Sequence, residues 1–228
     1  MKHGLPILAL LLALALSSCA SAGRLVVSPE QARSVAVLTA PSRVGVISRG
    51  NMEVADDSLG NAATYLLSKA LSINYLIHAD TVAQAERFSA LEDSVYRVVS
   101  VAQAVRKRKL SQIRVPDNVV EFARSNGNRY LLLATHGGFS RTRENYRKET
   151  AKQVGATVAS VALSVLLGGG AVYVGTPYHD GSTLSVALVD VEERQVFYAR
   201  TVFSEMPPND LKTLSYQLKT ALVDFYDP

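Results

Sequence analysis

Cysteine occurs once in the 228 residues, at position 19, so the chain can close no internal disulfide and its fold must be held by a packed core. Material for that core is present: 48% of the residues are hydrophobic, 19% are charged, and tryptophan is absent. The stretch after Cys19 is long enough for one domain carrying an insertion. A formal net charge of +4, which loses one unit if Lys2 is removed with a leader, is too mild an excess to argue for a nucleic-acid partner.

Lys2 precedes an uncharged run from Leu5 to Leu16, and small residues follow it, which is the charged, apolar and cleavage-region order of a secretory signal. The run falls short of the ~20 residues needed to cross a bilayer core, so a cleaved leader over residues 1–18 is expected. Leu16-Ser17-Ser18-Cys19 resembles the lipobox of bacterial lipoproteins. The resemblance implies that Cys19 is acylated and becomes the new amino terminus; several acyl chains on one residue would anchor it durably. In lipoproteins of the enteric type an Asp after the cysteine favours the inner membrane. Ala20 stands here, so the periplasmic face of the outer membrane is the expected location. Residues 19–29 then form a tether reaching roughly 30 Å, which holds the domain of residues 30–228 near the membrane.

Beyond the tether, strand and helix patterns mix. Ser34 to Leu38 and Val44 to Ile47 are β-branched runs separated by Ala40-Pro41. Asp56-Asp57-Ser58 starts a helix whose apolar face is Leu59, Ala62, Ala63, Leu66, Leu67 and Leu71. Tyr75-Leu76-Ile77 reads as a further strand. Asp80 or Thr81 then caps an amphipathic helix through Val82, Ala85, Phe88, Leu91, Val95, Val98 and Ala102, ending in the basic run Arg106-Lys107-Arg108-Lys109. That run either complements the helix dipole or contacts an anionic surface. Pro116-Asp117 opens a short helix closed by Asn126-Gly127-Asn128, and Tyr130 to Ala134 is a buried central strand. A hairpin of Ser182–Val191 against Gln195–Phe203 precedes a terminal helix with Leu211, Leu214, Leu218, Leu222 and Phe225 on one side. The predicted fold is mixed α/β: a single mixed sheet with helices packed on it, a carboxyl-terminal hairpin and helix, and an apolar helical insert at about residues 140–180.

The order of Tyr130-Leu131-Leu132-Leu133-Ala134, an apolar insert and Leu184 to Val191 is similar to the curli-secretion lipoprotein superfamily and the related TolB amino-terminal-like lipoproteins. In those proteins an Asp at a strand end leads through a glycine turn into a strand carrying an aromatic residue. Asp190 and Tyr198 fit that pattern, and Arg194 stands where the glycine would be.

Gln153 to Tyr178 contains no charged residue. Val154, Val158, Val161 and Val165 recur at helical spacing, and Ala156, Ser160, Ser164 and Gly168 form a row of small residues that would admit a close neighbour. Burying each Val or Leu stabilises by about 1.5–3 kcal/mol, so this segment must be covered by the domain's core, by a partner or second copy, or by a bilayer. The contact residues expected there are Val158, Val161, Val165 and Leu166.

Catalytic motifs are incomplete. Gly168-Gly169-Gly170 lacks the spacing and preceding strand of a dinucleotide fingerprint, and Gly170 to Gly175 is followed by Thr176-Pro177 where a phosphate loop needs Lys and a hydroxyl residue. His136-Gly137-Gly138 has the look of an oxyanion turn but reads better as a strand end turning into the insert. His78, His136 and His179 have no metal-ligand spacing, and His179-Asp180 pair by adjacency alone. No metal, cofactor or enzymatic activity is expected. The reading is a lipid-anchored envelope protein acting by protein–protein contact in assembly, export or maintenance, with an unidentified envelope partner or a homo-oligomer. The alternative is a secretion-channel subunit with a membrane-inserting segment, and an envelope enzyme comes third.

Overall fold

The computed structural model describes residues 27–154 and 177–227. In chain order the elements are β1 (Ser34–Thr39), β2 (Arg43–Arg49), β3 (Met52–Ala55), α1 (Asp57–Ser72), β4 (His78–Gln84), α2 (Ala90–Ala104), a 3-10 helix (Lys107–Gln112), α3 (Asp117–Ser125) and β5 (Tyr130–Arg141). They are followed by α4 over 143–154, then β6 (Asp180–Asp190), β7 (Gln195–Ser204) and α5 (Leu211–Tyr226). Among the described residues no helix is long and apolar enough to cross a membrane.

β1 and β2 are one extended run broken at Ala40-Pro41-Ser42, where proline has no N–H to give a ladder. Both halves pair in parallel with β5, through Ala36–Thr39 against Leu131–Ala134 and Arg43–Ile47 against Gly137–Arg141. Their outer edge is shared by two strands, β4 parallel to β1 and β3 antiparallel to β2. On its other side β5 pairs antiparallel with β6, and β6 with β7. The result is a single seven-stranded mixed sheet.

Side chains alternate between two cores. Val35, Val37, Leu132, Ala134, Val186 and Leu188 meet α1 and α5 on one face. Ala36, Leu38, Leu131, Leu133, Ala187 and Val189 meet α2, the 3-10 helix and α3 on the other. Covering on both faces is why the central strands read as continuous apolar runs. Leu214, Leu218 and Leu222 of α5 are wholly buried, each contributing about 1.5–3 kcal/mol.

Local caps agree with the expected helix starts. Asp56 accepts the Leu59 amide at 3.0 Å, and Asp210 accepts that of Thr213 at 3.0 Å. The hairpin is where the alternation places it. Four expectations differ. Tyr75-Leu76-Ile77 are bends, and the strand begins at His78. Residues 80–84 belong to that strand and not to a helix, because they pair with the edge of β1, so α2 begins only at Ala90 after the cap Ser89. The basic run lies past the end of α2, with Arg106 at the N-cap of a 3-10 helix that holds Lys107, Arg108 and Lys109. In α1 the buried face turns toward Gly60 and Thr64 and leaves Ala62 exposed.

Candidate functional site

β5 and β6 stay paired to Ser140 and Asp180, so the insert leaves and rejoins the sheet at one point. Arg141 clamps that point. Its guanidinium donates to the carbonyls of Tyr178 (2.9 Å) and Gly50 (3.0 Å) and to the amide oxygens of Asn145 and Asn51, both at 2.9 Å. Asn145 is buried and adds a bond to Gly50 O at 3.1 Å, and the Tyr146 ring meets His179 edge-on. The turn between β2 and β3, the first turn of α4 and the returning chain are thereby fixed to one another. Sequence gave no signal for this clamp, since its partners lie far apart in the chain. Residues 143–152, the first part of the insert expected at about 140–180, are helical but charged. Val158, Val161, Val165 and Leu166, the glycine run 168–170 and Cys19 lie outside the described residues.

A second feature follows from the strand break. β4 covers β1 and β3 covers β2, which leaves the edge at Pro41-Ser42-Arg43 open as a cleft of about 410 Å³. Glu92, buried at the third position of α2, accepts the Phe88 amide at 2.5 Å and Arg43 Nη2 at 3.2 Å, while Ser89 Oγ accepts the Glu92 amide at 3.1 Å. This is a capping box displaced by one residue. It holds Phe88 at a φ of 62° with its ring 92% exposed, so a residue that helical spacing assigns to the core is instead displayed in water. Arg43 also stacks on Tyr96, whose burial raises its pKa and whose hydroxyl donates to Pro41 O at 2.8 Å. Arg87 pairs with Asp57 at 2.5 Å on the far rim.

His136 is in the middle of β5, opposite Leu184, and Gly137-Gly138 continue the pairing; the expected turn is absent there. Gly138 has a steric reason for glycine, because a Cβ would meet Gly181 O at 2.3 Å. The imidazole is buried between Ser42 Oγ (3.2 Å from Nδ1) and Ser182 Oγ (3.0 Å from Nε2). Ser182 donates to Gln217 Oε1 at 2.9 Å, so Nε2–H donates to Ser182 and Nδ1 accepts from Ser42. Burial pushes the imidazole down from 6.5 to about 4, and it is neutral. The distances are those of hydrogen bonds to two buried hydroxyls, Ser182 inside the core and Ser42 against the cleft beside Arg43.

His179 Nδ1 lies 2.8 Å from Asp180 Oδ2, so this adjacent pair does face itself, and His78 pairs with Asp80 at 3.3 Å. Among the described residues no three His, Cys, Asp or Glu side chains converge as a metal site. The hairpin pattern is present in detail: Asp190 Oδ1 accepts the amides of Glu192 (3.0 Å) and Glu193 (3.2 Å), Arg194 takes a left-handed φ of 54°, and Tyr198 donates to Ala221 O.

Fold and sites together define a three-layer α/β domain with a clamped apolar insert. No family model matches the chain and no curated protein matches it in sequence. Among solved structures it is similar to the PelC dodecamer from Paraburkholderia phytofirmans, at 12% identity and a TM-score of 0.35 over 86% of this chain and 91% of that one. It is also similar to the C-terminal domain of LpoB from Salmonella enterica, at 12% identity and a TM-score of 0.27 over 75% of this chain and 83% of that one.

Proposed function

We propose that this is a lipid-anchored envelope protein that works by binding, its insert meeting a protein partner or a second copy through Val158, Val161, Val165 and Leu166. The observation that carries the reading is the cover of the sheet. The two buried cores, where the strands meet α1 with α5 and α2 with α3, are closed by the described residues without the insert, and the sheet end beside its base shows further apolar surface at Met52, Val54 and Phe203. A stretch with no charge from Gln153 to Tyr178, held at its base by the Arg141 clamp, then needs an apolar surface from elsewhere. Partner binding also accounts for Phe88, an exposed aromatic anchor beside an ion-paired cleft. Acylation of Cys19 would hold the domain at the membrane where such a partner resides.

Light-scattering mass is the direct test. The Val161→Asp variant is expected to lose the assembled species, or the captured partner, while its far-ultraviolet circular dichroism matches the parent chain. Loss of the fold would place the segment in the domain's own core and overturn the reading.

A further inference from the structure

We propose that the cleft between the carboxyl end of α2 and the 3-10 helix binds an anionic phospholipid of the bilayer. The cleft holds about 340 Å³. Its floor is Val98, Val101, Val105 and Ile113, and its rim carries Arg97, Lys109 and Arg114. Aliphatic floor and cationic rim are the two halves of an acidic amphiphile's complement.

Charge in this region is one-sided. From Ser94 to Pro116 the chain places Arg97, Arg106, Lys107, Arg108, Lys109 and Arg114 and no carboxylate. Among the described residues none of these six is in an ion pair. The last turn of α2 carries no basic side chain, and the run begins one residue past its cap, in the next element. Val101 stands 41% exposed at the cleft, an apolar surface that an acyl chain would cover.

A lipid fits better than an acidic protein segment for two reasons. The walls are a helix and a 3-10 turn, with no open strand edge to take a peptide backbone. The cleft also lies at the end of the sheet where β1 begins. Arg114 bridges Gln195, which pairs with Asp190 opposite Tyr130, the first residue of β5. The chain enters β1 at that end from the side of Cys19. The choice of a bilayer lipid rests on the proposed acylation of Cys19; it does not depend on the insert meeting a partner.

The chain has no tryptophan, so Val101→Trp makes a sole reporter inside the cleft. The full chain carrying it is reconstituted in phosphatidylcholine vesicles containing phosphatidylglycerol, with brominated acyl chains on one lipid or the other. Brominated phosphatidylglycerol is expected to occupy the cleft roughly a hundredfold in preference to phosphatidylcholine, at about 1 kcal/mol for each of three rim cations, and so to quench strongly where brominated phosphatidylcholine at equal mole fraction quenches little. Arg97→Gln with Arg114→Gln should abolish the preference, with Lys109→Gln as a milder variant, all at unchanged circular dichroism. Tyr216→Trp, exposed on α5 over the opposite face, should show no preference. Equal quenching by both lipids at the cleft would overturn the proposal. So would protection of the reporter by polyglutamate but not by phosphatidylglycerol, which would assign the cleft to an acidic protein.

Discussion

Arg194 closes the β6–β7 turn at a φ of 54°, a conformation in which a side chain costs about 1 kcal/mol that glycine does not. Its compensation is an exposed ion pair to Asp117 at 2.6 Å, worth little in water. Arg194→Gly is therefore expected to raise unfolding free energy by about 0.5–1 kcal/mol in urea titration. His136 sets a pH dependence of unusual sign for histidine. Its folded pKa of about 4 lies below the ordinary 6.5, so between those values the unfolded chain binds a proton that the folded chain refuses. Its contribution is complete above about pH 6.5 and declines by up to about 3 kcal/mol as pH falls to 4. His136→Gln keeps hydrogen-bonding capacity but not the titration. Its urea midpoint should be lower at pH 7 and should fall less steeply toward pH 4.5 than that of the parent chain.

At the scale of elements, α1 rests on the break between β1 and β2. Gly60 faces the Ser42 carbonyl so closely that a Cβ would lie 2.8 Å from that oxygen. Helix propensity alone predicts that Gly60→Ala gains about 1 kcal/mol. The contact is with backbone inside the sheet, which cannot step aside, so a net loss of about 1–2 kcal/mol is expected in thermal unfolding. The same distinction explains what was legible in the sequence. α1, α3 and α5 announce themselves through caps at Asp56, Pro116 and Asp210 and through apolar repeats, all local signals. β3 is exposed along its whole length and β4 is only half covered, and each is a strand by virtue of a neighbour distant in sequence. Val82, Ala85 and Phe88 imitate a helix by spacing alone. Pairing of β4 with β1 outweighs that spacing, and the Glu92 carboxylate turns Phe88 outward. Of the candidate sites, the basic run was readable as charge. The cleft behind it was not, because its floor comes from α2 and its far wall from the 3-10 helix, meeting only once the chain is folded.

The whole molecule separates its candidate sites along the sheet. The basic cleft lies at the end where β1 and β5 begin, and the clamped base of the insert lies where β2 and β5 stop. β5 runs Tyr130–Arg141, so the two ends are roughly 35 Å apart at the rise of a strand. A bilayer gripping the cleft would leave the base of the insert on the far side of the domain, which favours a protein or second copy there over the same bilayer. Sites that far apart with no shared side chains should act independently. Val161→Asp is expected to reduce assembled mass and leave the lipid preference of the Val101→Trp reporter unchanged. Arg97→Gln with Arg114→Gln should remove that preference and leave the mass unchanged. The triple variant should then show both losses at their single-site sizes. If either substitution shifted both readouts, the two ends would be working as one surface, and a membrane-inserting channel subunit would become the better description of the molecule.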